Sequence, residues 1–215
     1  MEEVMIQVEH AVKEFKETTA LRDVSVHFEK GKIYGLVGRN GSGKTVLLKS
    51  ICGFLPLTSG TIKVEGKVIG KDIEVPEDIG IIIEEPGFLP QYSAKKNLKL
   101  LALLRNRISD QVIEETLEKV GLDPKSKKKV GKFSMGMRQR LGIAQAIMEN
   151  PRILILDEPT NGLDEGGVKE IRKLLLDLKN EERTIIIASH NAEDISTLCD
   201  KVYEMDGGVI SERKE

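Results

Sequence analysis

Aromatic residues make up only 4% of the 215-residue chain and tryptophan is missing altogether. Recognition of single-stranded nucleic acid leans on exposed rings that stack with bases, and this composition argues against it. Charge of one sign is also lacking. With 33 Lys+Arg against 35 Asp+Glu, the formal net charge is −2, so no overall positive field draws the chain to DNA or acidic lipid. Cysteine is limited to Cys52 and Cys199, too sparse for a disulfide framework or a zinc site, and a reducing cytoplasm is the compartment this suggests. No apolar run approaches the ~18 residues of a membrane span. Met1-Glu2-Glu3-Val4 is acidic where a secretory signal is basic, so a soluble chain without a leader is expected. Repeats and low-complexity tracts are missing too.

What remains is a globular balance of 40% hydrophobic and 32% charged residues, in a length that suits one large domain or two small ones. Met5-Ile6-Gln7-Val8 and Val24-Ser25-Val26-His27-Phe28 alternate in the manner of half-buried antiparallel strands, and residues 60–69 read as a hairpin. Ile33 to Val37, Ile79 to Ile83, Ile153 to Leu156 and Ile185 to Ala188 are instead apolar throughout, the pattern of parallel strands covered on both faces. Between Ser93 and Met148 the period becomes helical, with Leu98, Leu101 and Leu104, then Val112, Ile113, Leu117 and Val120, then Leu141, Ile143, Ala144 and Ile147. Gly121-Leu122-Asp123-Pro124 breaks this block, and the basic run Lys125–Lys129 reads as a solvated loop. The expectation is an α/β domain with a mostly parallel sheet, an antiparallel β portion and an inserted helical stretch. A last strand is expected over Lys201–Val209, with no room after it for a regulatory domain.

Gly38-Arg39-Asn40-Gly41-Ser42-Gly43-Lys44-Thr45 follows a buried-type strand and leads into Val46-Leu47-Leu48-Lys49, good helix formers. That is the setting of a phosphate-binding loop, or P-loop. Glycines let backbone N–H groups turn around an anion, the helix start adds positive dipole, Lys44 reaches phosphates, and Thr45 can ligate Mg²⁺. A nucleotide with Mg²⁺ is the implied ligand, with Gly38, Asn40, Gly41, Ser42, Gly43, Lys44, Thr45 and Val46 as the binding residues. A second apolar strand ends in Asp157-Glu158, where α/β sheets place ligand chemistry. Asp157 can hold the metal and Glu158 can polarise an attacking water, although an Asp cap and a surface Glu is the plainer reading of these two alone.

Phe133-Ser134-Met135-Gly136-Met137-Arg138-Gln139-Arg140, Asn161-Gly162-Leu163-Asp164 and Ser189-His190 follow in an order that resembles the ATP-binding subunits of ABC transporters. The family signature is Leu-Ser-Gly-Gly-Gln; Ser134 and Gly136 match it, while Phe133, Met135 and Met137 depart. The resemblance implies a single P-loop NTPase domain over 1–215, with 1–84 and 150–215 forming the nucleotide-binding core and 85–149 the helical subdomain. It implies that Ser134, Gly136 and Asp164 meet ATP held by a second, identical subunit, and that His190 joins Glu158 and Lys44 in catalysis. Phe15 takes the adenine-stacking position, with a place in the core as its alternative. Glu84 stands where the family carries a metal-touching Gln and is expected to serve as a ligand with Thr45 and Asp157.

The implied function is Mg²⁺-dependent ATP hydrolysis by a sandwich dimer that powers a separate membrane permease, placing the chain on the cytoplasmic face of the cell membrane. Glu84 to Pro90, with the altered signature, resembles a subgroup associated with peptide-antibiotic export and immunity. Phe88, Leu89 and Tyr92 are candidate permease contacts, and core packing explains them as well. A soluble ABC-type ATPase acting on nucleic acid or ribosomes is the alternative. The length disfavours it, because such proteins carry long coiled coils or paired ATPase domains. A P-loop kinase for a small molecule leaves Ser134, residues 161–164 and His190 without a role.

Overall fold

Period-2 alternation of apolar side chains builds the first sheet. The computed structural model describes residues 3–105 and 107–213, so Met1 and Glu2 of the acidic N-terminus lie outside it. Strands β1 (Val4–Phe15) and β2 (Thr18–Glu29) pair antiparallel, with Val8 opposite Val26, and they run well beyond the short segments that alternation marked out. After β3 (Ile33–Val37) and α1 (Lys44–Ile51), β4 (Ser59–Val64) and β5 (Lys67–Val68) form the expected hairpin. Its turn, Glu65-Gly66, has φ of 51° and 76°, the geometry that two-residue hairpins favour. The sheet order is β2-β1-β4-β5.

The apolar runs make the second sheet. Strands β6 (Ile79–Ile82), β7 (Ile153–Asp157), β8 (Thr184–Ala188) and β9 (Lys201–Asp206) join β3 in parallel, and β10 (Val209–Glu212) closes one edge antiparallel, in the order β10-β9-β3-β8-β7-β6. Lys201–Val209 is thus not one strand. Gly207 and Gly208, with φ of 51° and 85°, turn the chain back into a hairpin.

Strands β3, β6, β7 and β8 of this sheet each feed two cores. Ile153 and Ile155 face Met5, Ile6, Leu47 and Leu48 on the side of the antiparallel sheet and α1. Leu154 and Leu156 face the other way, toward Leu98, Leu117, Leu141, Ile143 and Leu175. Those residues lie on α2 (Ala94–Arg105), α3 (Asp110–Lys119), α4 (Met135–Ile147) and α5 (Glu165–Leu178); the short α6 (Ala192–Leu198) leads back to β9. Helix starts follow local chemistry: Ser109, Ser134, Asp164 and Asn191 each accept a backbone N–H from their own first turn. Gly80 lets α4 close on β6, since a Cβ there would stand 1.9 Å from the Ala146 carbonyl oxygen.

The helical stretch contains no named strand, and Lys125, Lys127, Lys128 and Lys129 lie exposed in its loop, as expected. Two details differ. The signature helix starts at Met135, six residues before Leu141, the first apolar residue of its period, because Ser134 caps it. Leu104 is not a core residue: it is 82% exposed, while Leu98 is fully buried. Six residues on from Leu98 it sits about 120° further round the helix, and Ala102 takes the inward position.

Candidate functional site

Because β3, β8, β7 and β6 are adjacent and parallel, the segments that leave their C-terminal ends emerge along one edge. Those segments are the glycine-rich loop, Ser189-His190, Asp157-Glu158 and Glu84. The sheet topology therefore assembles residues that are far apart in the sequence.

The glycine-rich loop is shaped around its backbone. Gly38 has φ of 150°, and a Cβ on it would fall 2.2 Å from the Met205 carbonyl oxygen, so no other residue fits. Gly43, at φ 109°, is the N-cap of α1 and offers no side-chain acceptor, which leaves the first N–H groups of the helix open to an anion. The Lys44 ammonium is buried and donates to the Gly38 and Arg39 carbonyl oxygens at 2.6 and 3.1 Å. The Ser42 hydroxyl is buried in the same loop with no protein partner, a polar atom suited to a phosphate oxygen. Asn40 and Gly41 form the exposed tip, and Val46 is half-buried on α1.

The Thr45 hydroxyl donates to Asp157 Oδ2 at 3.2 Å. Burial pushes the Asp157 carboxyl above its ordinary range; the Thr45 hydrogen bond and Lys44 oppose this, while Glu158 and Glu84 add to it. A hydroxyl and a carboxylate in an anion-rich spot suit Mg²⁺, which takes few protein oxygens and completes its shell with water and phosphate. Among the described residues no cluster of three or more His, Cys, Asp or Glu forms a closed metal cage.

Glu158 sits just past β7 with φ of 51°, an unfavourable conformation for a residue with a Cβ. Its N–H bonds to the Ala188 carbonyl oxygen at 2.8 Å, and its carboxylate Oε1 accepts the His190 backbone N–H at 3.1 Å and meets His190 Nδ1 at 2.8 Å. Glu158 and His190, both expected in catalysis, are thus in direct contact. Glu84 also has a positive φ, 61°, and its carboxylate is held by Lys49 Nζ at 2.7 Å. Lys49, on the last turn of α1, supplies a counter-charge that no sequence pattern pairs with Glu84.

Ser134, Gly136 and Asp164 form a second cluster. The Ser134 hydroxyl accepts the Met137 N–H at 3.2 Å and Asp164 accepts the Gly167 N–H at 2.9 Å, so both cap helices within their own chain. Ser134 and Asp164 are exposed, and Gly136 packs so closely on the 161–164 loop that a Cβ would lie 2.9 Å from the Gly162 carbonyl oxygen. Phe15 is not in the core: it stands at the turn between β1 and β2, 47% exposed, with the Lys13 ammonium 5.3 Å from its ring centre. Leu89 and Tyr92 are exposed, whereas Phe88 packs on the helical core.

Two groups carried no local sequence signal. Gln139 Nε2 donates to the carbonyl oxygens of Glu158 and Pro159, at 3.0 and 3.1 Å. The fully buried Asp194 receives Thr160 Oγ1 at 2.5 Å, Arg172 Nε at 2.7 Å and Ser189 Oγ at 3.3 Å, tying the loop after Glu158 to the residue before His190.

Residues 21–161 match the family model described as ABC transporter. An uncharacterised ABC transporter ATP-binding protein of Bacillus subtilis is 50% identical over 204 residues, covering 95% of this chain and 94% of that protein. A bacitracin transport ATP-binding protein of Enterococcus faecalis is 42% identical over 212 residues, covering 98% of this chain and 69% of that protein. In fold, the chain is similar to a dimeric bacterial ABC transporter cassette with a TM-score of 0.89, at 24% identity and over 98% of each chain.

Proposed function

The chain belongs to the ABC transporter family as an ATP-binding ATPase subunit, and on that premise we propose that it hydrolyses ATP with Mg²⁺, as half of a sandwich dimer that drives a separate membrane permease. The observation that carries the mechanism is the joining of Thr45 to Asp157 and of Glu158 to His190 along one sheet edge. Residues 1–84 and 150–215 act as the nucleotide-binding core and 85–149 as the helical subdomain.

In this reading the loop amides, Ser42 and Lys44 hold the phosphates, with Gly38, Asn40, Gly41, Gly43 and Val46 shaping the cradle and Phe15 stacking on the adenine. Lys44 already lies within the loop, so it exchanges the carbonyls of Gly38 and Arg39 for phosphate oxygens with little movement. Thr45 and Asp157, with Glu84 beyond them, are the residues that hold Mg²⁺, which when bound neutralises charge building on the phosphate oxygens. Glu158 takes the proton from water as it attacks. His190, whose Nδ1 lies 2.8 Å from Glu158 Oε1, keeps Nε2 free for the γ-phosphate. Ser134, Gly136 and Asp164 complete the partner's site, and the exposure of Ser134 at a helix start and of Asp164 at the end of its loop supports that use.

No helix among the described residues is long and apolar enough to cross a membrane, so a transport role puts the chain on the cytoplasmic face through its permease. The exposed Leu89 and Tyr92 are proposed contacts there, and the bacitracin-transport relative supports a peptide-antibiotic cargo. The test is Glu158→Gln in the full chain. Turnover is expected to fall by at least about 10²-fold while an ATP-bound dimer accumulates on gel filtration, and tagged variant from detergent-solubilised membranes should bring down a multi-span protein. Near wild-type hydrolysis would overturn the base assignment; a chain recovered without a membrane partner would overturn the transport reading.

A further inference from the structure

Glu158 combines two features that pull apart: its side chain must be aimed at His190 and a water, yet its backbone occupies a region that L side chains seldom adopt. Something has to hold it there. Its N–H is fixed by the Ala188 carbonyl and its own carbonyl accepts the Asn161 N–H at 3.1 Å. The remaining anchor comes from outside the sheet. Gln139, half-buried on α4, directs its side-chain amide at two successive carbonyls, those of Glu158 and Pro159. Pro159 has no N–H to give, so this step of the chain is gripped through the Glu158 N–H and these two carbonyls.

We propose that Gln139 is a positioning residue that fixes the backbone of Glu158 and makes the aim of its carboxylate depend on the placement of helix α4. This rests on Glu158 being the base. The same helix begins at Ser134 and Gly136, and Gly136 and Met135 press on Gly162, so α4 lies along residues 158–162 by three separate contacts. Gln139 lies one turn from Gly136, and the contact with the partner's nucleotide and the grip on the chain's own carboxylate therefore share one rigid element. A displacement of α4 when the second nucleotide arrives shifts the amide and both carbonyls together. Gln139 touches neither phosphate nor metal site among the described contacts, so its role is through Glu158.

The test compares Gln139→Met with Gln139→Lys in the full chain. Met keeps the length and helix preference but has no donor; the Lys ammonium can donate to both carbonyls. For Gln139→Met, kcat is expected to fall by about tenfold or more with KM within about twofold, the pattern of a group that acts after binding. Gln139→Lys is expected to stay within about threefold of wild type, which a packing role would not give. Two results would overturn the proposal: a Gln139→Met kcat within about twofold of wild type, or equal impairment of both variants. If Gln139→Met melts early, the donor-bearing Gln139→Lys decides alone, and its failure to turn over while folded and binding ATP sinks the proposal. Wild-type turnover in Glu158→Gln removes the base assignment and this inference with it; a dead Glu158→Gln beside an active Gln139→Met removes this inference only.

Discussion

The two ends of the six-stranded sheet treat their carboxylates in opposite ways. At the end where β3 and β9 begin, Glu29 is 8% exposed and is met by Lys32 Nζ at 2.6 Å, Lys201 Nζ at 3.0 Å and the Tyr34 hydroxyl at 3.1 Å. At the end where β3 and β7 finish, Asp157 has a hydroxyl for its partner, and Glu158 and Glu84 crowd it with like charge. Lys44, the nearest ammonium by sequence logic, is turned onto carbonyls instead. One end is closed with its own cations and the other is left short of positive charge. Such a deficit is what a bound cation relieves, so it supports the second end as the proposed ligand site.

The difference is sharpest in Asp157→Asn. Asp157 is held above its unfolded pKa, so the stability linked to this group is complete below the unfolded value and is lost as pH rises through the folded one. At neutral pH the charged form therefore weighs against folding. An Asn there should raise the melting temperature by about 2–4 °C, a gain on the order of 1 kcal/mol. Turnover should fall by about 10³-fold, because the metal loses its carboxylate. A variant that both melts earlier and hydrolyses normally would remove the argument from unrelieved charge.

Glu29→Gln probes the other end and should behave in reverse. It leaves two partly buried ammonium groups facing an amide, at a cost of about 2 kcal/mol and a melting point lower by about 4–8 °C. ATP turnover measured well below the melt should stay within about twofold of wild type, since no phosphate or metal contact is touched. Strong loss of turnover without loss of stability would mean that the two ends are coupled.

Much of this is legible in the sequence alone. The four apolar runs announced the parallel strands, and the loop from Gly38 to Thr45 declared phosphate chemistry because its glycines and lysine have no cheaper explanation in that setting. Asp157, Glu158 and His190 could be placed at strand ends, and parallel pairing then brought them together. Hidden features depend on contacts between distant segments. Gln139 is one polar residue in a polar helix turn until α4 is seen lying over Glu158, and Asp194 is a first-turn acid until Thr160, Arg172 and Ser189 close on it. Leu104 misled because an apolar residue near the end of a helix satisfies a loose period without facing anything.

Glu84 is the position where the two ends blur, because here the site does carry an internal cation. Its carboxylate is 64% exposed and its contact with Lys49 lies near the surface, so Glu84→Gln should change stability by less than about 0.5 kcal/mol. The effect belongs to the metal instead. Glu84 adds negative charge to the surroundings of Asp157, and Lys49 partly cancels it. Removing the carboxylate lowers the attraction for a divalent cation and leaves Lys49 uncompensated, so half-maximal turnover should need about two- to fivefold more Mg²⁺. Lys49→Ala removes the cancelling charge and should move the requirement the other way by a similar factor. The opposed signs are the point of measuring both by Mg²⁺ titration of turnover: shifts in the same direction would show that the pair acts by shaping the loop, and that charge at this edge is not what tunes the metal.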